Sequence, residues 1–175
     1  MTTTYGNKPF GLRDVKITNI AGTTQVDLPA AQELTVTPRL VGGELKGDDS
    51  LKAVVAFVEA AEWNLAAGGI SLDALAVITG QAVSVSGSTP SEKTTLNLAA
   101  GDAMPYFKIY GKSMGDGADD VHVKLFKCKV TGNIEGAFAG GSFYITKLNG
   151  VAVDDGSNGV MDIIQNETAT TLPTT

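Results

Sequence analysis

The chain of 175 residues carries 19 acidic and 13 basic residues, so its formal net charge is −6. It lacks the excess of lysine and arginine that neutralises phosphate groups, which argues against a nucleic-acid-binding protein and against an anionic membrane surface as partner. A hydrophobic fraction of 43% supports a packed core, and the 21 glycines with few aromatic residues favour a mainly β fold with many turns.

The single cysteine, Cys128, excludes an intramolecular disulfide and a cysteine-based zinc site. It lies at an alternating position of VHVKLFKCKV, which is typical of a small apolar side chain in a strand. The N-terminus lacks the basic-then-apolar order of a secretory signal, and no apolar run reaches the roughly 18 residues of a membrane span. We therefore expect a protein that is made and matures in a cytoplasm.

The chain reads as one domain, residues 1–175, with polar, threonine-rich arms at 1–10 and 166–175 that are either disordered or ordered against a neighbouring copy. Residues 15–20 and 33–41 alternate as strands do, although Pro38 indicates an edge or a strand end. The glycine-rich stretch GGELKGDD, residues 42–49, is predicted to be a loop. We expect the segment Val41–Ser50 to be disordered in the monomer and ordered in an assembly.

Residues 51–65 fit two structures. A helix places Leu51, Val58 and Leu65 on one side, and a strand places Val55, Phe57, Trp63 and Leu65 on one face. The valines and aromatics favour a strand, whereas the alanines and an N-cap at Asp49 or Ser50 favour a helix. Periodicity alone leaves both open.

A short helix is predicted after the double glycine at 68–69. Ser71 is a good N-cap, Asp73 lies in the first turn, Leu72 and Leu75 recur at helical spacing, and Gly80 is the expected residue after the helix. The rest of the chain alternates as strands between breaks rich in Gly, Asp, Ser and Asn. The predicted strands are 81–87, 94–100, 104–113, 120–138, 141–150 and 160–165.

No catalytic, cofactor or metal site is predicted. His122 is the only histidine, and between Val121 and Val123 it is expected on a polar face or a strand edge. GDGADD and DDGSNG resemble calcium loops but lack the EF-hand spacing, so solvated turns are favoured over a weak cation site. Glu59 and Glu62 form a carboxylate pair only if their segment is helical. We therefore expect a protein that is not an enzyme.

Five lysines, which we expect on a solvated or intersubunit face, fall between residues 108 and 129: Lys108, Lys112, Lys124, Lys127 and Lys129. The sharper alternative is a basic patch that meets acidic residues of a neighbouring copy in an assembly.

The order of these segments resembles the major tail tube proteins of long-tailed bacteriophages. The segments that carry the resemblance are PAAQELTVTPRLVGGELKGDD (29–49), VAFVEAAEWNLAAGGISLDALAVITG (55–80), MPYFKIYGKS (104–113) and VKLFKCKVTGNIEGAF (123–138). The resemblance spans roughly residues 15–165, and its most specific part is a long strand with acidic and aromatic residues that runs into a glycine turn and a short helix.

The resemblance implies a β-sandwich or barrel-like fold with one flanking helix, six copies in each ring, and rings stacked into a hollow tail tube of the virion. Hairpins of neighbouring copies would close an inner barrel through which double-stranded DNA passes. It also implies that residues 51–66 form a strand, that the lumen is negatively charged, and that the partners are the tape-measure, tail terminator and distal tail proteins. The choice of a non-contractile rather than a contractile tail rests on the resemblance alone.

The resemblance and the strand alternation assign three groups of residues. The lumen candidates are Glu62, Glu59 and Asn64. The inter-ring loop candidates are Gly42, Gly43, Glu44, Leu45, Lys46, Gly47, Asp48 and Asp49. The expected core residues are Val55, Phe57, Trp63, Leu65, Leu72 and Leu75.

Three alternatives remain beside the non-contractile tail tube. The first is the inner tube of a contractile system. The second is another virion β-protein, such as a head decoration or head–tail joining protein. The third is a small enzyme or a carbohydrate-binding β-sandwich.

Overall fold

The computed structural model describes residues 8–28, 30–48 and 50–173, so part of the expected N-terminal arm lies outside it. Within those ranges the chain is mainly β with one short helix, as expected from its composition. The elements are β1 (Phe10–Asn19), β2 (Gln25–Asp27), β3 (Ala31–Gly47), β4 (Ser50–Gly68), α1 (Leu72–Thr79), β5 (Val83–Ser86), β6 (Lys93–Leu96), β7 (Phe107–Met114), β8 (Asp120–Glu135), β9 (Ile145–Ala152) and β10 (Met161–Asn166).

Eight of these strands form one antiparallel sheet in the order β2-β1-β7-β8-β9-β4-β3, with β10 paired to β8. The sheet folds over itself without closing, because β3 and β2, its two ends, are not hydrogen-bonded to each other. Leu34 of β3 packs directly on Gly111 of β7, where an added Cβ would lie 2.6 Å from the leucine Cδ2. The result is a sandwich-like fold, and β5 and β6 form a separate small hairpin.

The core lies between the two layers of the folded sheet. Trp63 of β4 and Phe107 of β7 meet edge to face, with their ring centroids 5.8 Å apart. Trp63 also crosses Gly150 of β9, where a Cβ would lie 2.5 Å from the indole. Trp63 and Leu65 are buried as expected. The other large buried side chains include Val15, Ile17, Ile78, Ile109, Leu125 and Leu172.

Helix α1 has the predicted caps. The Ser71 side chain accepts from the backbone N–H of Ala74, and Gly80 adopts a φ of 74° and donates to the carbonyl of Ala76. The buried face differs from the expected one, because Ala74 and Ile78 are fully buried whereas Leu72 and Leu75 are only partly buried. Because the helix has only eight residues, only about one turn of its surface contacts the core.

The predicted loop at residues 42–49 is wrong for its described part. Residues 42–47 belong to β3, which continues through Pro38 and pairs with β4 as far as Gly47↔Ser50. Asp48 forms the turn with a φ of 49°, and Asp49 lies outside the described residues. Pairing with β4 supplies hydrogen bonds that no local signal in this glycine-rich stretch predicts, and Pro38 is accommodated because β3 is an edge strand.

Strand β4 settles the choice left open for residues 51–65, and it also corrects two expected core residues. Leu40 pairs with Val58 while its neighbour Arg39 pairs with Ala60, so Glu59 is an extra, bulged residue. A bulge reverses the alternation beyond it. Val55 and Phe57 therefore do not share the face of Trp63, and they are 60% and 58% exposed.

Several boundaries also differ from the predicted ones. The segments at 81–87 and 94–100 contribute only the short strands β5 and β6, outside the main sheet. Strand β8 ends at Glu135, so residues 136–144 form a loop, and β2 carried no sequence signal.

The C-terminal arm, as far as residue 173, lies on the chain's own body. Leu172 is buried, Ala169 donates to the carbonyl of Ala118, and Gln25 donates to the carbonyl of Pro173.

Candidate functional site

Strands β3 and β9 form a four-stranded sheet with the second half of β4, from Ala61, and the second half of β8, from Cys128. One side of this sheet is polar and exposed. Opposite residues of antiparallel strands share a face. Two cross-strand rows are therefore Thr35–Asn64–Asn149 and Thr37–Glu62–Val151–Lys129. We call this side the polar face; its residues are Glu33, Thr35, Thr37, Arg39, Glu59, Glu62, Asn64, Lys127, Lys129, Glu135, Lys147, Asn149 and Val151.

All three lumen candidates lie on the polar face. Glu62 and Asn64 point away from the core because Trp63 and Leu65 point into it. The bulge brings Glu59 to the same side, where Arg39 contacts both acids, with its Nε 2.9 Å from Glu59 and its Nη1 3.7 Å from Glu62. Sequence reasoning missed Arg39, and only the recognition of a β3–β4 hairpin would have placed it opposite these acids.

The charges of the polar face balance within one copy, so this face lacks the net negative charge that the resemblance implies for a lumen wall. Four carboxylates and four cations lie on this face. The charges are unevenly distributed, because the β4 acids Glu59 and Glu62 lie near the β3 edge whereas Lys127 and Lys129 lie on β8. The two lysine ammonium groups lie 5.1 and 5.0 Å from the ring centroid of Tyr106. Of the five clustered lysines, Lys127 and Lys129 lie on the polar face.

The β3–β4 hairpin extends beyond the body of the fold. Strand β4 pairs with β9 only from Ala61 onwards, so residues 50–60 have β3 as their one partner strand among the described residues. At about 3.3 Å per residue, this part is about 35 Å long. Every residue from Thr37 to Lys46 and from Ser50 to Glu59 is exposed.

Both faces of this hairpin are apolar. Val54 and Val58 lie on one face, and Val55 and Phe57 lie on the other, each with half or more of its surface exposed. The exposed large apolar side chains of the hairpin are Leu40, Val41, Leu45, Leu51, Val54, Val55, Phe57 and Val58. A two-stranded ribbon is marginally stable in water, and large exposed apolar patches are typical of interaction surfaces.

The four-stranded sheet has a free edge on each side. In the described part of the chain, β3 is hydrogen-bonded to β4 alone. On the opposite side, β7 pairs with β8 only up to Cys128, so the later residues of β8 have β9 as their partner. Free strand edges carry unpaired N–H and C=O groups, which are templates for pairing with another chain.

A buried polar cluster holds the C-terminal arm. Asp120 is fully buried and accepts hydrogen bonds from the side chains of Asn166, Lys112 and His122 at 2.6, 2.9 and 3.1 Å and from the backbone N–H of Thr170 at 2.7 Å. Burial alone would raise the pKa of Asp120, but these hydrogen bonds, that from Asn166 first, hold it well below its ordinary range. His122 is therefore buried and does not lie on a polar face or an edge as expected.

The acidic loops use their carboxylates to close turns. Asp155 accepts from the backbone N–H groups of Asn158 and Ser157 at 2.6 and 2.9 Å, and hydrogen bonds led by that from Asn158 lower its pKa to about 2. Asp119 accepts from the N–H of Gly117 at 3.0 Å. Among the residues that the structure describes, no three His, Cys, Asp or Glu side chains are grouped to hold a metal ion. Cys128 is buried, and burial raises the pKa of its thiol.

Neither of two comparisons with known proteins finds a match. No family model matches the sequence, and the search of the curated proteins finds no match. Within the described ranges, no helix is long and apolar enough to cross a membrane.

Proposed function

We propose that this chain is a structural subunit that polymerises into stacked rings and forms the hollow tail tube of a long-tailed bacteriophage. The observation that carries the proposal is the β3–β4 hairpin, which extends about 35 Å from the body with apolar side chains on both faces. In a monomer, exposing such a hairpin to water is unfavourable, whereas neighbouring copies of the chain would cover one another's hairpins.

The two free edges of the four-stranded sheet favour a ring. Along the order β8-β9-β4-β3 each strand is antiparallel to the next, so β3 and the second half of β8 run in opposite directions. When copies stand side by side, the β3 edge of one meets the β8 edge of the next and pairs with it in antiparallel fashion. Such a contact is heterologous, and it closes into a ring when the rotation between copies allows.

In this arrangement the sheets of all copies form one barrel, with the polar face as the proposed lumen wall. Four strands from each copy make a wider barrel than the hairpin alone, because the barrel diameter grows with strand number. Six copies in each ring, passage of double-stranded DNA, and the tape-measure, tail terminator and distal tail proteins as partners follow from the resemblance. They belong to this proposal.

The experiment removes the tip of the hairpin. Deletion of residues 43–48 is expected to leave a folded chain that no longer forms tubes, whereas the native chain forms rings and tubes at high concentration. Analytical ultracentrifugation and electron microscopy measure the two outcomes. A variant with Val55→Ser and Phe57→Ser, which keeps the backbone, is expected to lose assembly as well, and Val85→Ser on the small β5–β6 hairpin is the matched control. A native chain that stays monomeric at all concentrations and salts overturns the proposal.

A further inference from the structure

Residues 136–144 between β8 and β9, which we call the aromatic loop, carry the two most exposed aromatic side chains among the described residues. Phe143 and Phe138 are 96% and 85% exposed. The loop nevertheless has internal packing, since the Phe138 and Tyr144 rings lie 4.6 Å apart. Tyr144 also lies so close to Gly136 that a Cβ there would overlap its hydroxyl. Phe138 therefore contacts Tyr144 of its own loop, whereas Phe143 leaves nearly its whole surface in water.

The aromatic loop is anchored to the end of β4 that lies opposite the hairpin turn. The N–H of Gly69 donates to the carbonyl of Tyr144 at 2.7 Å, and the Thr146 hydroxyl donates to the carbonyl of Gly69 at 2.9 Å. The turn of the hairpin stands at Ser50, the other end of the same strand. At about 3.3 Å per residue, the two apolar features lie about 60 Å apart along β4.

The aromatic loop and the hairpin tip both combine exposed apolar side chains with charges of both signs. Beside the aromatic loop lies an open cleft of about 450 Å³, whose apolar lining includes Phe143 and Ile145 and whose charged lining is Glu135 and Lys147. No ion pair joins these two charged side chains in the described structure, although they stand opposite each other on β8 and β9. Glu135 and Lys147 are thus available to form ion pairs with another molecule.

The hairpin tip offers the complement. Leu45 and Leu51 are 64% and 53% exposed. Lys52 is a cation for which no ion pair is found among the described residues, and Glu44 and Lys46 form only an exposed pair at 3.5 Å. The tip thus offers two leucines flanked by both signs of charge, and the cleft offers aromatic and aliphatic groups with one charge of each sign.

We propose that the aromatic loop is the seat for the hairpin tip of a second copy, the next one along the tube. The inference rests on the proposed function and names the partner surface of the hairpin tip. Because seat and tip lie at opposite ends of β4, the contact is head to tail and repeats along one axis. One contact thereby covers two exposed apolar surfaces that otherwise remain in water.

The first test is a disulfide cross-link between copies. Two variants, Leu51→Cys and Phe143→Cys, are mixed under oxidising and assembling conditions, where the native Cys128 is buried and does not compete. A disulfide-linked dimer of the two variants is expected. The rival seat is the open groove of about 770 Å³ beside helix α1, which is lined by Ala76, Val77 and Tyr106. The pair Leu51→Cys with Ala76→Cys is therefore the control. A cross-link to residue 76 and none to residue 143 overturns the inference.

The second test separates the stack from the ring. The double variant Phe138→Ser with Phe143→Ser is expected to form rings, as seen by electron microscopy, while the number of stacked tubes falls at least tenfold. Both side chains are exposed, so the melting temperature is expected to stay that of the native chain. Tubes as long and as frequent as the native ones overturn the inference and leave the proposed function standing. A native chain that forms neither rings nor tubes overturns both.

Discussion

The guanidinium of Arg39 donates to the carboxylate of Glu59 at 2.9 Å across the β3–β4 pair. The contact exists because the bulge at Glu59 turns that side chain to the face on which Arg39 and Glu62 already lie. Half of each side chain is exposed, so the pair contributes about 0–1 kcal/mol to the free energy of unfolding. Its larger effect is on charge, because the arginine offsets one of the two acidic charges that it contacts on the polar face.

A first prediction concerns the proposed lumen wall. Glu62→Lys changes the charge of each copy by two units and also leaves Arg39 with one acid. Because the wall repeats this change in every copy, we expect slower DNA ejection and stronger DNA retention, and both effects should weaken as salt rises.

The measurement is DNA release from assembled particles at several salt concentrations. Glu62→Gln, which removes the acid without adding a cation, is the control and should have a smaller effect. Normal assembly with unchanged ejection kinetics and unchanged salt dependence would count against Glu62 as a lumen residue.

A second prediction separates the core from the hairpin. Trp63→Ala removes a fully buried ring that packs on Phe107, and it should lower the free energy of unfolding by about 3–5 kcal/mol. Phe57→Ala is the matched control, since that ring is 58% exposed in the monomer. Chemical denaturation of both variants under monomeric conditions checks the contrast. A Trp63→Ala variant as stable as the parent would contradict the packing described.

A third prediction concerns Gly150, which leaves room for the Trp63 indole and the backbone of Lys129. A Cβ at this position would lie 2.1 Å from the carbonyl oxygen of Lys129, so Gly150→Ala should destabilise the fold by about 1–3 kcal/mol through overpacking. Gly140→Ala is the control, because no atom lies within 4 Å of an added Cβ there. The idea fails if the two alanine variants melt at the same temperature.

A fourth prediction uses Asp120 and the C-terminal arm. The pKa of this carboxyl in the folded chain lies below its ordinary value of 3.8, so the ionised form stabilises the fold. That contribution is complete above the ordinary value and is lost as the pH falls through 3.8 towards the folded pKa. Native stability should therefore fall between pH 5 and pH 2 more steeply than that of Asp120→Asn.

At neutral pH, Asp120→Asn should cost about 3 kcal/mol, the lower end for a broken buried pair, because Lys112 keeps some contact with water. The arm near Thr170 should become more sensitive to proteolysis, because one of its anchors is weakened. Asp162→Asn on the exposed side of β10 is the control. Parallel pH profiles for Asp120→Asn and the native chain would refute the role given to this carboxylate.

The elements that were predictable carry their own local signals. Helix α1 begins at a serine cap and ends at a left-handed glycine, and both signals lie within a few residues of the helix. Trp63 and Leu65 alternate with polar residues, and both are buried. The expectation of a mainly β fold rested on composition, and it is also confirmed. The likeness to tail tube proteins, in contrast, stays a prediction.

The sequence by itself determined the strand-rich class, the capped helix and the buried alternation around Trp63, because each depends on neighbours along the chain. Only the tertiary structure decided that residues 42–47 are strand, that the bulge at Glu59 places Val55 and Phe57 on the face opposite Trp63, and that Asp120 accepts hydrogen bonds from four donors. In each case the structure depends on contacts with another segment of the chain, and these contacts override a weak local preference. Glycines that read as a loop become a strand when β4 supplies their hydrogen bonds, and a single bulged residue reverses every side chain beyond it.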